Sequence, residues 1–352
     1  MFRHIISTIL LASFILTPVH AQEIVNWKIA ETWPKDFPIF GDSVKTMIRY
    51  VDELSQGQFK IESVTKETHK KAFGIFDLVK DGEYQMGHTA SYYYKGKDIN
   101  TLFFTTLPMG MIAVEQYAWF YHGGGLELME KTYKKHGLLS FPGGNTANQM
   151  GGWFRKEIKT LDDLKGLKMR IPGLAGDVMK SLGVDVVNIP PGELFSALQS
   201  GDLDALEWVG PSLDLAMGFQ KVAPFYYTGW HEPGTELNFI VSLKDYQALP
   251  SHFQKILKTA MRLAAYEMYI QSYHLSSENF SQMQNEFPDV QVRAFPRKVY
   301  RELVKVTNKK LDEIAANGDE STKEILNSIR AYQNKARLWT RFSDQAYLNN
   351  AF

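Results

Sequence analysis

Strand-like and helix-like segments alternate over the first part of the chain, and this alternation constrains the fold more than any other feature. V-N-W-K-I-A-E-T-W places apolar residues at every second position from Val25, as a half-buried strand does. Phe40 to Leu54 carries apolar residues on one helical face and stops at Gln56-Gly57. F-K-I-E-S-V-T, F-G-I-F-D-L-V-K and Y-Q-M-G-H-T-A continue as strand, helix and strand. Such an order predicts a parallel α/β sheet with right-handed crossovers.

The middle of the chain restarts this pattern, and the last hundred residues do not. L-L-S-F-P-G, M-G-G-W-F-R-K-E-I and L-K-M-R-I-P-G read as strands, and E-L-F-S-A-L-Q-S-G reads as a helix that ends at Gly201. Further helices are predicted over 111–135, 176–182, 252–286, 299–316 and 322–348. The segment 252–286 contains neither Gly nor Pro. Long helices are therefore expected to pack on the α/β body or against a second copy of it.

The N-terminus has the pattern of a secretory signal. A basic start, M-F-R-H, precedes the apolar stretch I-I-S-T-I-L-L-A-S-F-I-L and then small residues. This order predicts a signal peptide over 1–21, cleaved after Ala21. The alternative is an uncleaved N-terminal anchor, which is less expected because no stop-transfer pattern follows.

Composition excludes several classes of site. The chain has no cysteine, so it can have no thiolate metal site, no cysteine nucleophile and no disulfide. Lys and Arg number 39, and Asp and Glu also number 39, so no charge imbalance points to nucleic acid as a partner. The 22 Phe, 17 Tyr and 7 Trp are enough to line a cleft as well as to fill a core.

The short motifs of nucleotide-binding proteins and hydrolases are missing. His122 to Gly125 resembles an oxyanion-hole loop, but no G-x-S-x-G elbow accompanies it, so we interpret it as a helix break. His231-Glu232 begins like a zinc-protease helix, but Pro233 and Gly234 follow. No G-x-G-x-x-G follows a strand, and no Walker loop is present.

Polar residues at predicted strand ends are the remaining candidates for a site. Arg170 closes L-K-M-R, Gln149 precedes Gly151-Gly152, and Glu207 and Glu232 lie beside Trp208 and near Trp230. An arginine in such a position is more commonly exposed at the surface. However, the paired donors of the Arg170 guanidinium group also match the two oxygens of a carboxylate. Strand ends of open α/β sheets face the ligand crevice.

Two interpretations of these carboxylates remain open on the residues alone. A carboxylate among indoles is costly unless it is paired or binds a cation. Glu207, Glu232 and the amide of Gln149 together suit a cation that prefers hard oxygen ligands. A salt bridge to Arg170 is an equally good interpretation. If the cation-site interpretation is correct, Arg170 holds the carboxylate of a small acid, and a cation bound by the glutamates joins that carboxylate to a neighbouring oxygen.

Several of these segments together resemble a known family. Q-M-G-G-W-F-R-K-E-I, L-K-G-L-K-M-R-I-P-G-L-A-G-D-V-M, A-L-Q-S-G-D-L-D-A-L-E-W-V-G-P and G-W-H-E-P-G are similar to the extracytoplasmic solute-binding proteins of TRAP transporters, the DctP type. The resemblance covers nearly all of the chain after the signal. Within the family, these segments resemble the subgroup that binds 2-oxo acids or lactate together with a metal ion.

The resemblance implies a two-domain α/β periplasmic-binding-protein fold with a hinge and long C-terminal helices. It implies domain I over 22–145, completed by part of 237–290, and domain II over 146–236. Helices over 250–352 are implied to span the hinge and hold a homodimer. The implied function is periplasmic capture of a pyruvate-like or lactate-like monocarboxylate for a TRAP membrane permease, with no catalysis.

The resemblance also implies roles for particular residues. Arg170 is implied to grip the ligand carboxylate. The implied metal ligands are Gln149, Glu207, Glu232 and the main-chain carbonyl of Trp208, for Ca²⁺ or alternatively Na⁺, with calcium favoured by the charge count. The wider set that we expect around the ligand is Arg170, Gln149, Asn148, Trp208, Tyr92 and Tyr93, with aromatics near Thr32-Trp33 on the first-domain side.

Two rival functions stay open. One is a secreted metal-dependent hydrolase or lyase with Glu207 or Glu232 as base. The other is a sensory adaptor that shares the binding fold but signals to a membrane partner. His231 has no role in any of these interpretations.

Overall fold

A computed structural model describes residues 24–187, 189 and 191–351. The predicted signal peptide over 1–21 and its cleavage point lie outside these residues. Across the described ranges, no helix combines the length and the apolar character that crossing a membrane requires.

The strands are short, apart from β1, β4 and β10. In chain order they are β1 (Val25–Glu31), β2 (Phe59–Val64), β3 (Met86–Thr89), β4 (Leu138–Asn145), β5 (Gly152–Phe154), β6 (Lys168–Arg170), β7 (Asp185–Val187), β8 (Ala205–Leu206), β9 (Phe225–Tyr227), β10 (Glu236–Ser242) and β11 (Gln291–Arg293).

The longest helices are in the C-terminal third. In chain order the helices are α1 (Phe40–Leu54), α2 (Lys66–His69), α3 (Ile75–Lys80), α4 (Ala113–His122), α5 (Gly125–Lys134), α6 (Gly173–Ser181), α7 (Leu194–Ser200), α8 (Pro211–Met217), α9 (Leu243–Ala248), α10 (Ser251–Glu286), α11 (Arg297–Asn317), α12 (Glu320–Phe342) and α13 (Asp344–Ala351). Short 3₁₀ turns include Ser91–Tyr94, which lies next to the site described below.

The first sheet has the order β2-β1-β3-β10-β4. Strand β1 pairs in parallel with β2 and β3, as the alternation at the start of the chain predicts. Strand β10 runs antiparallel to β3 and β4, so the sheet is mixed beyond the parallel part that the alternation predicted. The physical reason is that the chain re-enters this sheet at Glu236 from the second domain, and therefore runs in the opposite direction.

The second sheet has the order β11-β9-β5-β8-β6-β7. Strand β6 is parallel to β7 and β8, and β5 is antiparallel to β8 and β9. The glycine pair Gly151-Gly152 at the start of β5 allows this packing. A Cβ on Gly151 would meet the carbonyl oxygen of Thr228 at 2.5 Å, and one on Gly152, whose φ is +110°, would meet that of Leu206 at 2.5 Å.

The long helices hold the two sheets together. Helix α10 packs on β4 and α1 of the first domain and on α8 of the second. Its apolar face, with Phe253, Leu257 and Met261, covers one side of the first sheet. Helix α11 then packs on α6, and α12 returns to α4 and α5. The two-domain fold with long C-terminal helices is confirmed, whereas the boundaries at 145/146 and 236/237 stay a prediction.

Most helix predictions agree with the structure, and the differences have local causes. Helix α1 has the predicted bounds, because Asp42 accepts a hydrogen bond from the Ile39 N–H at its start and Gln56 and Gly57 have positive φ at its end. The predicted break near His122 is present, with Gly124 at φ 88°. Helix α6 begins at Gly173 rather than 176, and the helix predicted over 322–348 is interrupted at Ser343.

Candidate functional site

Arg170 and Glu207 meet where two neighbouring parallel strands end. Strand β6 ends at Arg170, which lies opposite Leu206, the last residue of β8. The Glu207 N–H donates to the Arg170 carbonyl at 2.9 Å, and Nη1 of Arg170 lies 3.2 Å from Oε2 of Glu207. The same nitrogen bonds the main-chain carbonyl of Glu207. The salt bridge between Arg170 and Glu207, one of the two interpretations of this carboxylate, is therefore present in the structure.

This ion pair leaves much of the guanidinium unpaired. The Arg170 side chain is 1 % exposed, so the surface position expected for an isolated arginine is wrong. Its guanidinium carbon lies 5.2 Å from the centre of the Trp208 ring. Its Nε and Nη2 have no hydrogen-bond partner among the described residues. Unpaired buried donors are costly, so these groups are suited to a bound carboxylate.

Gln149 and Glu232 lie on the two segments that cross between the domains. The Gln149 N–H donates to the Glu232 carbonyl at 2.9 Å, which holds the segments side by side. The Gln149 amide nitrogen donates to Thr146 Oγ1 at 2.9 Å, and Thr235 Oγ1 donates to Glu232 Oε2 at 2.7 Å. The amide oxygen of Gln149 is buried and has no partner within the described chain. Each threonine thus orients a ligand-type oxygen.

His231 is the member of this cluster that the sequence did not assign. Ligand atoms of Glu207, His231 and Glu232 lie within 4.8 Å of one another, and all three residues are buried. The His231 Nε2 lies 3.4 Å from Glu207 Oε1, and neither ring nitrogen makes a hydrogen bond with the described residues. The only signal in the sequence was its place beside Glu232. We refer to Gln149, Arg170, Glu207, His231 and Glu232 as the charged cluster.

Burial dominates the electrostatics of the cluster. Desolvation raises the pKa of Glu207 to about 8, although Arg170 opposes the shift. Desolvation, followed by the charge of Glu207, raises the pKa of Glu232 to about 7. Desolvation lowers the pKa of His231 to about 4, so its imidazole is neutral. Burial and mutual repulsion therefore oppose simultaneous ionisation of the two carboxyl groups, and a bound cation would favour it.

Aromatic residues of the first domain cover the cluster. The Phe37 and Phe40 rings lie 6.0 and 6.1 Å from the Trp208 ring, between centroids. Trp33 packs behind them, 4.6 Å from Phe40. The Trp208 side chain is 5 % exposed and its indole N–H has no partner among the described residues. The predicted aromatic wall near Thr32-Trp33 therefore lies opposite Trp208.

The tyrosines of the Ser91–Tyr94 turn divide into two groups. Tyr94 belongs to the core, because its hydroxyl bonds Thr89 Oγ1 at 2.8 Å and its ring packs on Phe76. Burial and the charge of Glu232 raise the pKa of Tyr92 well above its ordinary value. Burial raises that of Tyr93 to about 12, and Arg170 opposes this shift. Tyr92 and Tyr93 are thus within electrostatic reach of the cluster.

Asn148 does not lie with the other predicted residues. Its side chain is exposed, and its amide nitrogen points to the neighbouring Gln149 carbonyl at 3.4 Å. The structure thus offers no contact between Asn148 and the buried cluster.

Asp214 is a further residue that the sequence did not single out as functional. Its Oδ1 accepts bonds from the N–H groups of Val209 and Gly210, at 3.2 and 3.0 Å. Its Oδ2 accepts from Trp153 Nε1 at 3.0 Å and Tyr226 Oη at 2.8 Å. This buried carboxylate therefore fastens the Glu207–Gly210 loop to β5 and β9.

The donor set fits a hard cation beside a small carboxylate. Oε1 of Gln149 and Oε1 of Glu207 are buried oxygens without a hydrogen-bond partner among the described residues. Carboxylate and amide oxygens are the ligands that Ca²⁺ takes. Arg170 contacts Glu207 through Nη1, which leaves its Nε and Nη2 without a hydrogen-bond partner among the described residues. Two sheets joined by crossing segments, with a charged cluster buried between them, define a two-domain binding protein.

Comparison with protein families agrees with that class. The family described as "Bacterial extracellular solute-binding protein, family 7" (DctP) matches residues 29–317. The chain belongs to this family. It is 38% identical over 328 residues to a monocarboxylate 2-oxoacid-binding periplasmic protein of Nostoc sp. strain PCC 7120, covering 93% of this chain and 89% of that one.

Solved structures show the same relationship. A TRAP periplasmic solute-binding protein from Colwellia psychrerythraea, with bound calcium and pyruvate, is 57% identical with a TM-score of 0.92, over 93% of this chain and 100% of that one. One from Pseudoalteromonas atlantica T6c, with bound sodium and pyruvate, is also 57% identical, with a TM-score of 0.91 over 93% and 99%. A Bordetella bronchiseptica RB50 protein, described as a mixed occupancy dimer with calcium and picolinate, is 32% identical, with a TM-score of 0.90 over 94% and 98%.

Proposed function

We propose that this protein is the periplasmic solute-binding protein of a TRAP transporter. It captures a small 2-oxo or 2-hydroxy monocarboxylate, pyruvate-like or lactate-like, together with a metal ion, and delivers it to the membrane permease. The observation that carries the proposal is the pair of buried, unpaired Arg170 nitrogens next to the unpaired oxygens of Gln149 and Glu207. Relatives with bound pyruvate and calcium or sodium support the same ligand class.

Arg170 binds the ligand carboxylate in this proposal. Its unpaired Nε and Nη2 present two donors that match two carboxylate oxygens, while Nη1 stays on Glu207. Trp208, Tyr92 and Tyr93 enclose the ligand. Asn148 stays a predicted contact that the geometry does not support, because its side chain is exposed.

Gln149, Glu207, Glu232 and the main-chain carbonyl of Trp208 hold the cation. A cation held by these residues would offset the mutual repulsion of the two carboxylates and would supply positive charge to the oxygens of the bound acid. Two carboxylates favour a divalent ion, so Ca²⁺ is the proposed cofactor and Na⁺ the alternative. Thr146 and Thr235 keep the amide and carboxylate oriented towards the ion.

Binding is coupled to closure of the two domains. Phe37 and Phe40 come from the first domain and Trp208 from the second, so a ligand beside Trp208 is covered only when the domains meet. A ligand that contacts both domains stabilises the closed state by its differential affinity for that state. No chemical step is part of this function, and the metal-dependent hydrolase and the sensory adaptor are the rival proposals.

A second copy of the chain is the proposed protein partner. Large apolar side chains on α12 and α13 are exposed, with Trp339 at 71 %, Phe342 at 72 % and Tyr347 at 74 %. Leu263, Tyr266, Ile270 and Tyr273 form an exposed stripe at helical spacing on α10. We call these two faces the C-terminal apolar surface. Exposed apolar area of this kind marks interfaces, and a dimer described for the Bordetella relative supports the assignment.

A thermal-shift screen of metal-stripped protein tests the proposed function. Pyruvate, lactate and longer or uncharged analogues are added with and without Ca²⁺ or Na⁺. A ligand that binds the folded state raises the melting temperature according to its occupancy. We expect a large shift only with a 2-oxo or 2-hydroxy acid and a cation together. Acid-dependent shifts with no cation effect contradict the metal site, and turnover of the acid supports the hydrolase or lyase.

A further inference from the structure

Lys95 connects the first domain to helix α6 of the second domain. It directly follows the Ser91–Tyr94 turn of the first domain. Its Nζ lies 3.0 Å from the carbonyl oxygen of Gly173 and 2.6 Å from Oδ2 of Asp177. Both partners belong to α6 of the second domain. The lysine therefore makes a charge-assisted hydrogen bond and a salt bridge between domains.

Lys95 attaches to a segment that closely follows the ligand arginine in the chain. Gly173 is three residues after Arg170 and begins α6 in the left-handed region, with φ 66°. A Cβ at Gly173 would lie 3.4 Å from the ring of Tyr92, which belongs to the same first-domain turn as Lys95. Two residues of the first domain thus lie against the start of α6, which follows Arg170 in the chain. The Tyr92 ring packs near Gly173, and the Lys95 ammonium group bonds Gly173 and Asp177.

We propose that Lys95 is a latch that sets the lifetime of the closed, ligand-bound state without touching the ligand. This inference rests on the proposed function. The bonds to Gly173 and Asp177 need the two domains in contact, so they must break before the cleft opens. Ligand encounter takes place in the open state, in which the latch is not formed. Loss of the latch therefore raises the dissociation rate and leaves the association rate unchanged.

The size of the effect follows from the exposure of the pair. The Lys95 and Asp177 side chains are 32 % and 46 % exposed, so solvent screens their charges. Exposed lysine–carboxylate pairs contribute modestly, and the bond to the Gly173 carbonyl adds to this one. We expect removal of the lysine charge to accelerate dissociation by about 3- to 10-fold.

The test measures release of labelled pyruvate from the calcium-loaded full-length protein, chased with excess unlabelled pyruvate. The variant Lys95→Met keeps most of the aliphatic stem and removes the charge and the donors. Lys97→Met is the matched control, because Lys97 lies two residues further on and pairs with Asp77 at 2.8 Å inside the first domain. We expect faster release from K95M and wild-type release from K97M.

Asp177→Asn and the double variant K95M/D177N complete a double-mutant cycle. The expected results are a smaller acceleration in D177N, which keeps the Gly173 bond, and a double variant no faster than K95M. Wild-type release from K95M, or equal acceleration in K97M, overturns the latch alone. A wild-type protein that binds neither pyruvate nor lactate, with calcium or with sodium, overturns the proposed function and the latch together.

Discussion

The indole N–H of Trp33 donates a hydrogen bond to Nδ1 of His88 over 2.8 Å. The other ring nitrogen of His88 lies 3.0 Å from the Gly143 carbonyl, to which its N–H donates. The neutral imidazole thus satisfies both neighbours, and protonation of Nδ1 would remove the acceptor for Trp33. Because Trp33 supports Phe40, which faces Trp208, this buried histidine holds the first-domain wall of the site in place.

The first prediction concerns acid stability. Desolvation lowers the pKa of His88 from 6.5 to about 4, so the unfolded chain binds a proton at a higher pH than the folded protein does. The stability that His88 contributes is therefore complete above pH 6.5 and is lost as the pH falls towards 4, at about 1.4 kcal/mol per pH unit.

The variant His88→Gln isolates this contribution. Glutamine can accept from Trp33 and donate to Gly143, but it does not titrate in this range. Between pH 7 and pH 5, the free energy of unfolding of the wild type should fall by about 2 kcal/mol relative to that of H88Q, measured by urea denaturation. Comparing the two proteins cancels the buried carboxyls, whose raised pKa values act in the opposite direction. Parallel pH profiles would contradict the assignment.

The second prediction concerns Arg170. Arg170→Ala should abolish pyruvate binding, a loss of at least about 3 kcal/mol, because the carboxylate loses its donors and stays buried. Arg170→Lys should also bind poorly, since a point charge does not reproduce two parallel donors. Isothermal titration calorimetry measures affinity, and circular dichroism confirms that each variant folds. Native affinity in a folded R170A would show that another residue anchors the acid.

The third prediction concerns the threonines behind the proposed cation ligands. Thr235→Val removes the hydroxyl that bonds Glu232 Oε2, and Thr146→Val removes the one that holds the Gln149 amide. Each should weaken calcium binding by about 10- to 100-fold, as loss of an orienting partner does. Thr160→Val is the control, because Thr160 is exposed and its hydroxyl bonds Asp163 at the start of the 3₁₀ turn Leu161–Leu164, with no bond to the cluster. Calcium affinity equal to that of the control would leave the threonines with no orienting role.

The fourth prediction concerns assembly through the C-terminal apolar surface. Placing charges there by Trp339→Glu together with Phe342→Glu should convert a dimer into a monomer, because each charge would be buried without a partner. Tyr300→Glu, an exposed aromatic on α11, is the matched control. Light scattering after size-exclusion chromatography reports the mass. A double variant that stays dimeric would place the interface elsewhere.

The periodicity of apolar residues was sufficient to predict most elements of the fold. Helix α1 has the predicted bounds because its apolar stripe, its acidic first turn and the turn at Gln56-Gly57 all indicate the same segment. The direction of β10 was not predictable, because a strand has the same side-chain alternation in a parallel and an antiparallel pair. Only the return of the chain from the second domain decides it.

The candidate site divides in a similar way. Arg170, Gln149, Glu207 and Glu232 were identifiable as polar residues at strand ends and from the resemblance to the family, and the structure brings them together. Asn148 was indistinguishable in sequence from its buried neighbour Gln149, yet it is exposed. His231 and Asp214 carried no separate signal, because their importance depends on burial and on bonds to residues of other strands.

The sequence by itself determined the order of strands and helices, the family and the residue types at the strand ends, because these depend on local periodicity and on contiguous motifs. The tertiary structure decided which of those residues are buried together. Phe37 and Trp208, or Lys95 and Asp177, are distant in the chain and meet only across the cleft. Burial in the folded protein raises the pKa of Glu207, and Arg170 is buried with two nitrogens unpaired; no local pattern encodes either result.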